Sequence, residues 1–372
     1  MGDARNTARP AGLAPTVCLA MIVRNEAAVI ERCLRSARPW IDQWLICDTG
    51  STDDTKERVR ASLSNLPGAL VERPWVDFGH TRSELLRLAR GRADYLLLLD
   101  ADMTVACDDE SGPPLVPSDG ADAYLLQIRG EPEYRVPLLV RSCLPWRYEG
   151  VTHEYLTIDQ AYVRAPLDRP WIVHHADGGA RADKFERDLA LLERRLAERP
   201  DDARAVFYLA QTHRDLGHRQ EAARLYARRA DMGGWAEEAF YARYQQGLLV
   251  APEAWPEAMA LLLSAWNARP SRAEPLHALA AGCRERGQYA LAHLFASRGM
   301  AIAKPDDILF VSPWIYAWGL RFEYSVAVYW MGDIAAALAA TQVLAARSDI
   351  PEPWRQHVIA NLRICEEASK QR

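Results

Sequence analysis

Tyr95-Leu96-Leu97-Leu98-Leu99-Asp100-Ala101-Asp102 is the stretch on which the reading of this chain turns. Five residues of unbroken apolar strand end abruptly in two carboxylates. A run this short and uniformly apolar predicts a strand buried on both faces of a mainly parallel sheet. Ligands in such sheets bind beyond the carboxyl ends of the strands. Asp100 and Asp102 therefore stand where chemistry is expected. Two acids one residue apart can present oxygens to a hard divalent cation, with phosphate oxygens completing its shell. The plainer role for the pair is a polar strand exit that caps a turn.

Upstream, Thr16 to Val23 is a second apolar run. It ends in Arg24-Asn25-Glu26, and Val29, Ile30, Cys33 and Leu34 then fall on one helical face, with Asn25 as the expected N-cap. Trp44 to Cys47 is the next strand, leaving through Asp48-Thr49-Gly50-Ser51-Thr52-Asp53-Asp54-Thr55. Gly50 suits a tight turn, and Ser51-x-x-Asp54 has the spacing of a capping box. Two strand–loop–helix units in succession put both loops on one sheet edge, so Asp48 faces the same crevice as Asp100, or else only caps its turn. Val71 to Trp75 reads as a shorter strand. Asp77-Phe78-Gly79-His80-Thr81-Arg82 leads into a helix whose first turn holds Arg82. The helix macrodipole disfavours a cation there, which points to an anionic partner or a salt bridge.

Downstream, Ala123 to Ile128 and Arg135 to Val140 read as an antiparallel hairpin joined by Gly130-Glu131-Pro132. Trp146 to Tyr155 then gathers Glu149, His153 and Glu154 among aromatic residues. Trp171 to His175 is a final short strand with His174 and His175 where it ends.

Length and composition set the frame. A chain of 372 residues predicts two domains. A net charge of -5 gives no basic footprint for nucleic acid. The seven cysteines contain no Cys-x-x-Cys pair and read as reduced, which indicates the cytoplasm. No apolar run approaches the roughly 18 residues of a membrane span. Residues 1–15 read as a disordered tail without the apolar core of a signal peptide.

The first half resembles the family 2 glycosyltransferases of GT-A fold. The resemblance is carried by Ala20-Met21-Ile22-Val23-Arg24-Asn25-Glu26, by Asp48 to Thr55, by Asp77-Phe78-Gly79 with Arg82, by Leu99-Asp100-Ala101-Asp102, and by Gly150-Val151-Thr152-His153-Glu154. These pieces stand in the family's order over about 160 residues. The resemblance implies a nucleotide-diphosphate sugar donor, a UDP-sugar being favoured, and Mn²⁺ or Mg²⁺ on its diphosphate. It implies donor contacts from Arg24, Asn25, Glu26, Asp48, Arg82 and Asp100, and metal ligation by Asp102 with Asp100. Many relatives carry a second acid where this chain has Thr49, and Arg-Asn where it has Arg82-Ser83. Transfer also needs a general base, usually a carboxylate. Glu154 and Glu149 are the candidates, and the family pattern favours Glu154. His153 is a candidate phosphate contact, and His174 or His175 an additional metal ligand. Arg181 and Lys184 follow a Gly-Gly turn and could close over the diphosphate, or simply start a solvated helix.

From Asp183 the pattern is helical, beginning with Phe185 to Arg199. Gly217…Ala222, Gly287…Ala292 and Gly332…Ala337 repeat a turn glycine followed five positions later by alanine. The first two glycines are two tetratricopeptide periods apart, and a degenerate unit lies between them around Gly247 and Ala258. Residues 181–372 therefore resemble a tetratricopeptide solenoid following a GT-A domain over 16–180. Such stacks present an extended concave surface suited to a peptide or protein segment. The plainer roles are a scaffold or a homodimer interface. Trp314 to Trp330 reads as core between repeats.

The combination also resembles peptide S- and O-glycosyltransferases. The leading expectation is metal-dependent, inverting sugar transfer, with a peptide or protein acceptor. A saccharide or lipid-linked glycan acceptor is the alternative. A non-catalytic adaptor carrying a degenerate transferase domain is the reading from another class, opposed by the intact Asp-x-Asp and His-Glu elements.

Overall fold

Tyr95–Leu98 forms the strand β4, buried along its whole length. The computed structural model describes residues 14–108, 115–117, 119–129, 134–178 and 184–371. The chain divides into two units, Met1–Leu191 and Leu192–Arg372.

The first unit is built on an eight-stranded sheet. Its strands are β1 (Val17–Val23), β2 (Gln43–Asp48), β3 (Gly68–Glu72), β4, β5 (Met103–Ala106), β6 (Ala123–Arg129), β7 (Tyr134–Arg141) and β10 (Arg164–His174). They lie in the order β3-β2-β1-β4-β7-β6-β10-β5, beside a separate hairpin of β8 (Arg147–Glu149) and β9 (Tyr155–Thr157). The first four in that order are parallel, and helices α1 (Ile30–Ala37), α2 (Thr55–Ser62) and α3 (Phe78–Ala89) connect them in sequence. β7 runs antiparallel to both β4 and β6. The result is the mainly parallel, GT-A-like sheet expected from the apolar runs. Ala20 pairs with both Leu45 and Leu98, so β1, β2 and β4 release their chains at one edge.

Several local expectations are corrected. The third strand is Gly68–Glu72 rather than Val71 to Trp75. Gly68 lies against the Trp44 ring so closely that a Cβ would sit 2.4 Å from it, and Pro74 has no N–H with which to continue the ladder. Asn25 is not the cap of α1. It adopts φ +54° in the loop, and α1 starts at Ile30, whose N–H meets the Glu26 carbonyl. The Ser51–Asp54 capping box does not form. Asp54 is an N-cap without a side-chain bond, and Asp53 accepts the Thr55 N–H at 3.1 Å instead. Arg82 is the fifth residue of α3, past its first turn, so the macrodipole argument lapses. The helix is capped by Asp77, which accepts from the His80 N–H at 2.7 Å. The closing strand runs over eleven residues, with an irregularity between Leu167 and Ile172. β5, which pairs with it, was not foreseen, because its buried positions are only Met103 and Val105. The connection at 130–132 lies outside the described residues.

The second unit is a run of helices. α4 (Lys184–Glu198) carries the division between the units. After it come α5 (Ala203–Asp215) with α6 (Arg219–Asp231), α7 (Ala236–Val250) with α8 (Trp255–Ala268), and α9 (Glu274–Glu285) with α10 (Tyr289–Met300). A π-helical turn, Ile315–Gly319, opens α11 (Leu320–Trp330), which pairs with α12 (Ile334–Ala345) before α13 (Glu352–Lys370). The sequence repeat reappears in the hydrogen bonds. Gly217, Gly287 and Gly332 sit at φ +80°, +69° and +89°. After each, an N–H reaches back five residues: His218 to His213, Gln288 to Cys283, Asp333 to Val328. That is a Schellman closure used three times. Ala222, Ala258, Ala292 and Ala337 are each the fourth residue of a second helix, and each is wholly buried. A larger side chain there would cost about 1–3 kcal/mol by overpacking. Of Trp314 to Trp330, Ile315, Trp318, Leu320 and Phe322 enter the core, while Trp314 and Trp330 remain exposed. No helix among the described residues is long and apolar enough to cross a membrane.

Candidate active site

The carboxyl ends of β1 and β2 are tied together before any ligand is considered. The Asn25 side chain accepts the Thr52 N–H at 2.8 Å. The Asn25 N–H donates to Ser51 Oγ at 3.0 Å, and the Glu26 N–H to Thr55 Oγ1 at 2.8 Å. The two loops therefore form one rigid rim. Arg24 is exposed at its edge, while Glu26 is buried.

Asp48 lies under this rim, fully buried. Its Oδ1 accepts the N–H groups of Gly50 and Ser51, both at 2.9 Å, so one oxygen performs the turn-capping role. Its Oδ2 is buried with no hydrogen-bond partner. An acceptor left in that state costs about 1–3 kcal/mol, which a donor on a ligand would recover.

Arg82 connects the acids of β4's exit to those of the β8–β9 loop. Its Nη2 donates to Asp100 Oδ1 at 2.6 Å, and its Nε lies 2.7 Å from Glu154 Oε1 as an ion pair. The guanidinium sits beside the Tyr148 ring, 5.6 Å from its centre. Burial would pull the Arg82 pKa down, but the charges of Asp100 and Glu154 outweigh it and hold it above the ordinary value. Burial pushes the Tyr148 hydroxyl up to about 12. Strand alternation then sends the next residue the other way. Glu149 instead meets Arg147 and the Tyr155 hydroxyl, each at 2.7 Å. The Tyr155 bond, with Arg147 behind it, holds Glu149 below its ordinary pKa. The structure thus brings Glu154, and not Glu149, to Asp100.

The loop carrying Glu154 is fixed by close backbone contact. A Cβ on Gly79 would lie 2.1 Å from the Gly150 carbonyl oxygen. The Phe78 N–H meets the Val151 carbonyl at 3.1 Å, and Thr152 bonds buried Asp188 at 3.1 Å. His153, exposed between Thr152 and Glu154, adopts φ +51°.

Asp102 forms the other pole. Because β10 pairs His174 with Met103, His174 arrives beside it, with Nε2 3.2 Å from Asp102 Oδ2. Burial works to raise the Asp102 carboxyl, but the His174 ring and the Gly178 amide outweigh it and keep it below its ordinary value. Gly178, which sequence reading missed, approaches both acids of this pole. A Cβ there would stand 3.3 Å from Asp102 Oδ2 and from Glu26 Oε2. His175 turns away, its Nε2 2.8 Å from Thr104 Oγ1. Arg181 lies outside the described residues, as does the side chain of Lys184.

Carboxylate and imidazole suit Mn²⁺ or Mg²⁺ when phosphate oxygens complete the shell. Asp102 with His174 supplies ligand types that fit such an ion, while Asp100 Oδ1 is engaged by Arg82. Among the described residues no three His, Cys, Asp or Glu side chains form a ready cage.

Residues 18–116 match the family model described as glycosyl transferase family 2. That span holds β1 to β5, the rim, Arg82, Asp100 and Asp102, and stops before Glu154 and His174. A TPR repeat-containing protein of Synechococcus elongatus is 38% identical over 87 residues, 23% of this chain and 20% of the relative. The SPbeta prophage-derived glycosyltransferase SunS of Bacillus subtilis is 27% identical over 89 residues, 24% of this chain and 20% of that protein. The chain thus spans about a fifth of the length of the curated relatives it matches. Among solved structures, a TPR protein of Thermus thermophilus matches with TM-score 0.35 at 17% identity, covering 49% of this chain and 92% of that one. Glucosyl-3-phosphoglycerate synthase of Mycobacterium tuberculosis matches with TM-score 0.21 at 25% identity, covering 24% and 34%. The chain thus carries a segment that matches the glycosyl transferase family 2 model, followed by a run of paired helices whose turns repeat as in tetratricopeptide proteins.

Proposed function

We propose that the first unit transfers a sugar from a nucleotide-diphosphate sugar to an acceptor, with inversion and with a divalent cation, and that the acceptor is a peptide or protein segment recruited by the helical repeats. The observation that carries this reading is the double ion pair of Arg82. It joins Asp100, at the exit of β4, to Glu154, in a loop locked to α3.

Each residue then has a task. Glu154 takes the proton from the acceptor's nucleophile, and Arg82 keeps its carboxylate aimed there. Arg82 also sets positive charge beside the departing diphosphate. The unpartnered Oδ2 of Asp48 accepts from the nucleotide base or ribose. Glu26, Asn25 and Arg24 shape the donor rim. Asp102 and His174 would hold Mn²⁺ or Mg²⁺, which when bound offsets charge on the diphosphate. Seven free cysteines support a cytoplasmic setting.

The test is a thermal-shift screen of nucleotide sugars with and without Mn²⁺, paired with a donor-hydrolysis assay. A bound donor at 100-fold its Kd stabilises the folded state by about 2.7 kcal/mol. Asp102→Asn is expected to lose turnover at least a thousandfold while keeping its secondary structure. If no nucleotide sugar shifts the midpoint and none is hydrolysed, the reading fails.

A further inference from the structure

The linker between α10 and the π-helical turn does not take the short way. Residues 306–312 run back across the first helices of earlier pairs. First helices touch from pair to pair, α7 with α9 and α9 with α11, so theirs is the tight inner face of the stack. The linker lies on that face and is held as a bound peptide would be. Glu237 of α7 accepts two successive backbone N–H groups, Ile308 at 2.9 Å and Leu309 at 2.8 Å. Arg272 donates to two successive carbonyls, Leu309 and Phe310, both at 3.1 Å. Glu274 accepts the Ser312 N–H at 3.3 Å. Asp307 is gripped by Arg269 and Arg272. Three residues on, the Phe310 ring packs on Tyr241, 4.8 Å between centres, and stacks on Phe207 at 6.4 Å.

Two features separate this from ordinary loop packing. Between the Asp307 and Phe310 anchors the grip falls on the backbone, while the side chain of Ile308 is left 84% exposed. Phe310 takes φ +47°, a conformation that costs of order 1–3 kcal/mol and persists only where surroundings impose it. The segment is therefore strained at the end that carries its aromatic anchor.

We propose that this inner face is a peptide-backbone site, that the chain's own residues 306–312 occupy it, and that an extended segment with an acid followed three positions later by an aromatic residue competes for it. The proposal rests on the peptide-acceptor reading only for the identity of the natural competitor. Its physical basis is reciprocity. With the segment in place Arg272 has no exposed side-chain surface and Glu237 only 14%, so lifting it away would take two acceptors from one and two donors from the other and leave water as the substitute. Charged groups that trade well-aligned protein partners for water lose part of their hydrogen-bond energy. Another extended backbone restores every one of those bonds, so exchange of segment for segment is favoured over simple opening. The tethered segment competes at an effective concentration of about a millimolar, which keeps the groove filled until a better ligand arrives.

The probe is a labelled decapeptide of the sequence Lys304 to Pro313, added to the full chain. Its affinity for the unsubstituted chain is expected to be weak. In the Phe310→Ala chain the tethered segment loses its anchor, and the same peptide should bind at least tenfold more tightly. A peptide with Asn for Asp307 and Ala for Phe310 should bind neither chain. A second measurement needs no variant: millimolar peptide should speed hydrogen exchange at the Ile308 and Leu309 amides of the unsubstituted chain severalfold. If the peptide leaves exchange at those amides unchanged, the segment is a fixed wall and the proposal is overturned. If the peptide exchanges but no nucleotide sugar binds or is hydrolysed, the groove stands and the transfer reading is what falls.

Discussion

Arg82 in the sheet unit and Arg272 in the helical unit each grip two carboxylates, and they end in opposite conditions. Arg82 holds Asp100 and Glu154, and Asp100 keeps 37% of its side chain open. Arg272 holds Glu274 and Asp307 with nothing exposed of itself, and two backbone carbonyls absorb its remaining donors. One cluster is left open to a ligand at the carboxyl edge of a sheet. The other is saturated by the chain's own linker. A buried ion pair is thus no mark of function by itself. What distinguishes the pair at the sheet edge is an acid that remains accessible, with an unpartnered Asp48 oxygen under the neighbouring loop.

The comparison breaks first, if it breaks, at Glu154. Glu154→Gln keeps an acceptor for Arg82 but removes the base. Turnover should fall by roughly 10²–10⁴ while donor affinity stays nearly constant. Glu149→Gln, on the opposite face of its strand, should fall by less than threefold. Steady-state kinetics on the two variants decide the matter, and the reverse ranking would refute the assignment within the pair.

Next in size is a contrast between the arginines themselves. Arg272→Met strands Glu274, 1% exposed, without a cation and leaves Asp307, 8% exposed, to Arg269 alone. Removing one partner from such a cluster costs about 3–5 kcal/mol. Arg82→Met leaves Asp100, which water already reaches at 37% exposure, and Glu154, at 12%, so it should cost less stability than Arg272→Met while removing most of the transfer activity. Chemical denaturation followed by circular dichroism, alongside the assay, separates the two. Equal stability losses would mean that the sheet-edge cluster is as structural as the other.

Much of this was legible in the sequence, for physical reasons that also mark where legibility stopped. The strand at Tyr95 and the turn glycines announced themselves because burial on both faces and a left-handed turn each demand particular residues. Ala222, Ala292 and Ala337 were visible because close helix crossing tolerates only small side chains. The pairing of Arg82 with Glu154 joins residues 72 positions apart and needed the fold. So did the approach of His174 to Asp102, which depends on the register of a strand, β5, too short and too half-buried to read. Gly178 carried only a turn signal, although its real constraint is the pair of carboxylates it touches. The linker over the inner face was invisible because much of its hold is on backbone atoms, and its two side-chain anchors, Asp307 and Phe310, meet partners that only the fold brings near.

The smallest expected effect concerns acid, and it sets the two units against each other once more. In the sheet unit, Asp102 is held below its ordinary pKa: burial opposes the shift, but the His174 ring outweighs it. Its stabilising charge is fully present above the ordinary carboxylate range and is lost only as pH falls through the depressed value. In the helical unit, His277 packs edge-on against Trp314, 4.9 Å between ring centres. Burial, with Arg284 adding to it, depresses its pKa to about 4. An unfolded histidine titrates near 6.5, so between the two values the unfolded chain binds a proton that the folded chain refuses. Stability of the helical unit is then complete above about pH 6.5 and declines as pH falls toward 4. The loss is at most about 3 kcal/mol, and less in practice because the residue is only half-buried. Acid should therefore weaken the repeats before it reaches the carboxylates of the sheet edge. Denaturation midpoints taken from pH 7 to pH 4.5 should drop for the helical transition, and His277→Gln should flatten that slope while leaving the acid limb of the sheet unit in place. A helical transition indifferent to pH over that window would show that His277 can be protonated in the folded repeats, and with it the contrast in acid response between the two units would disappear.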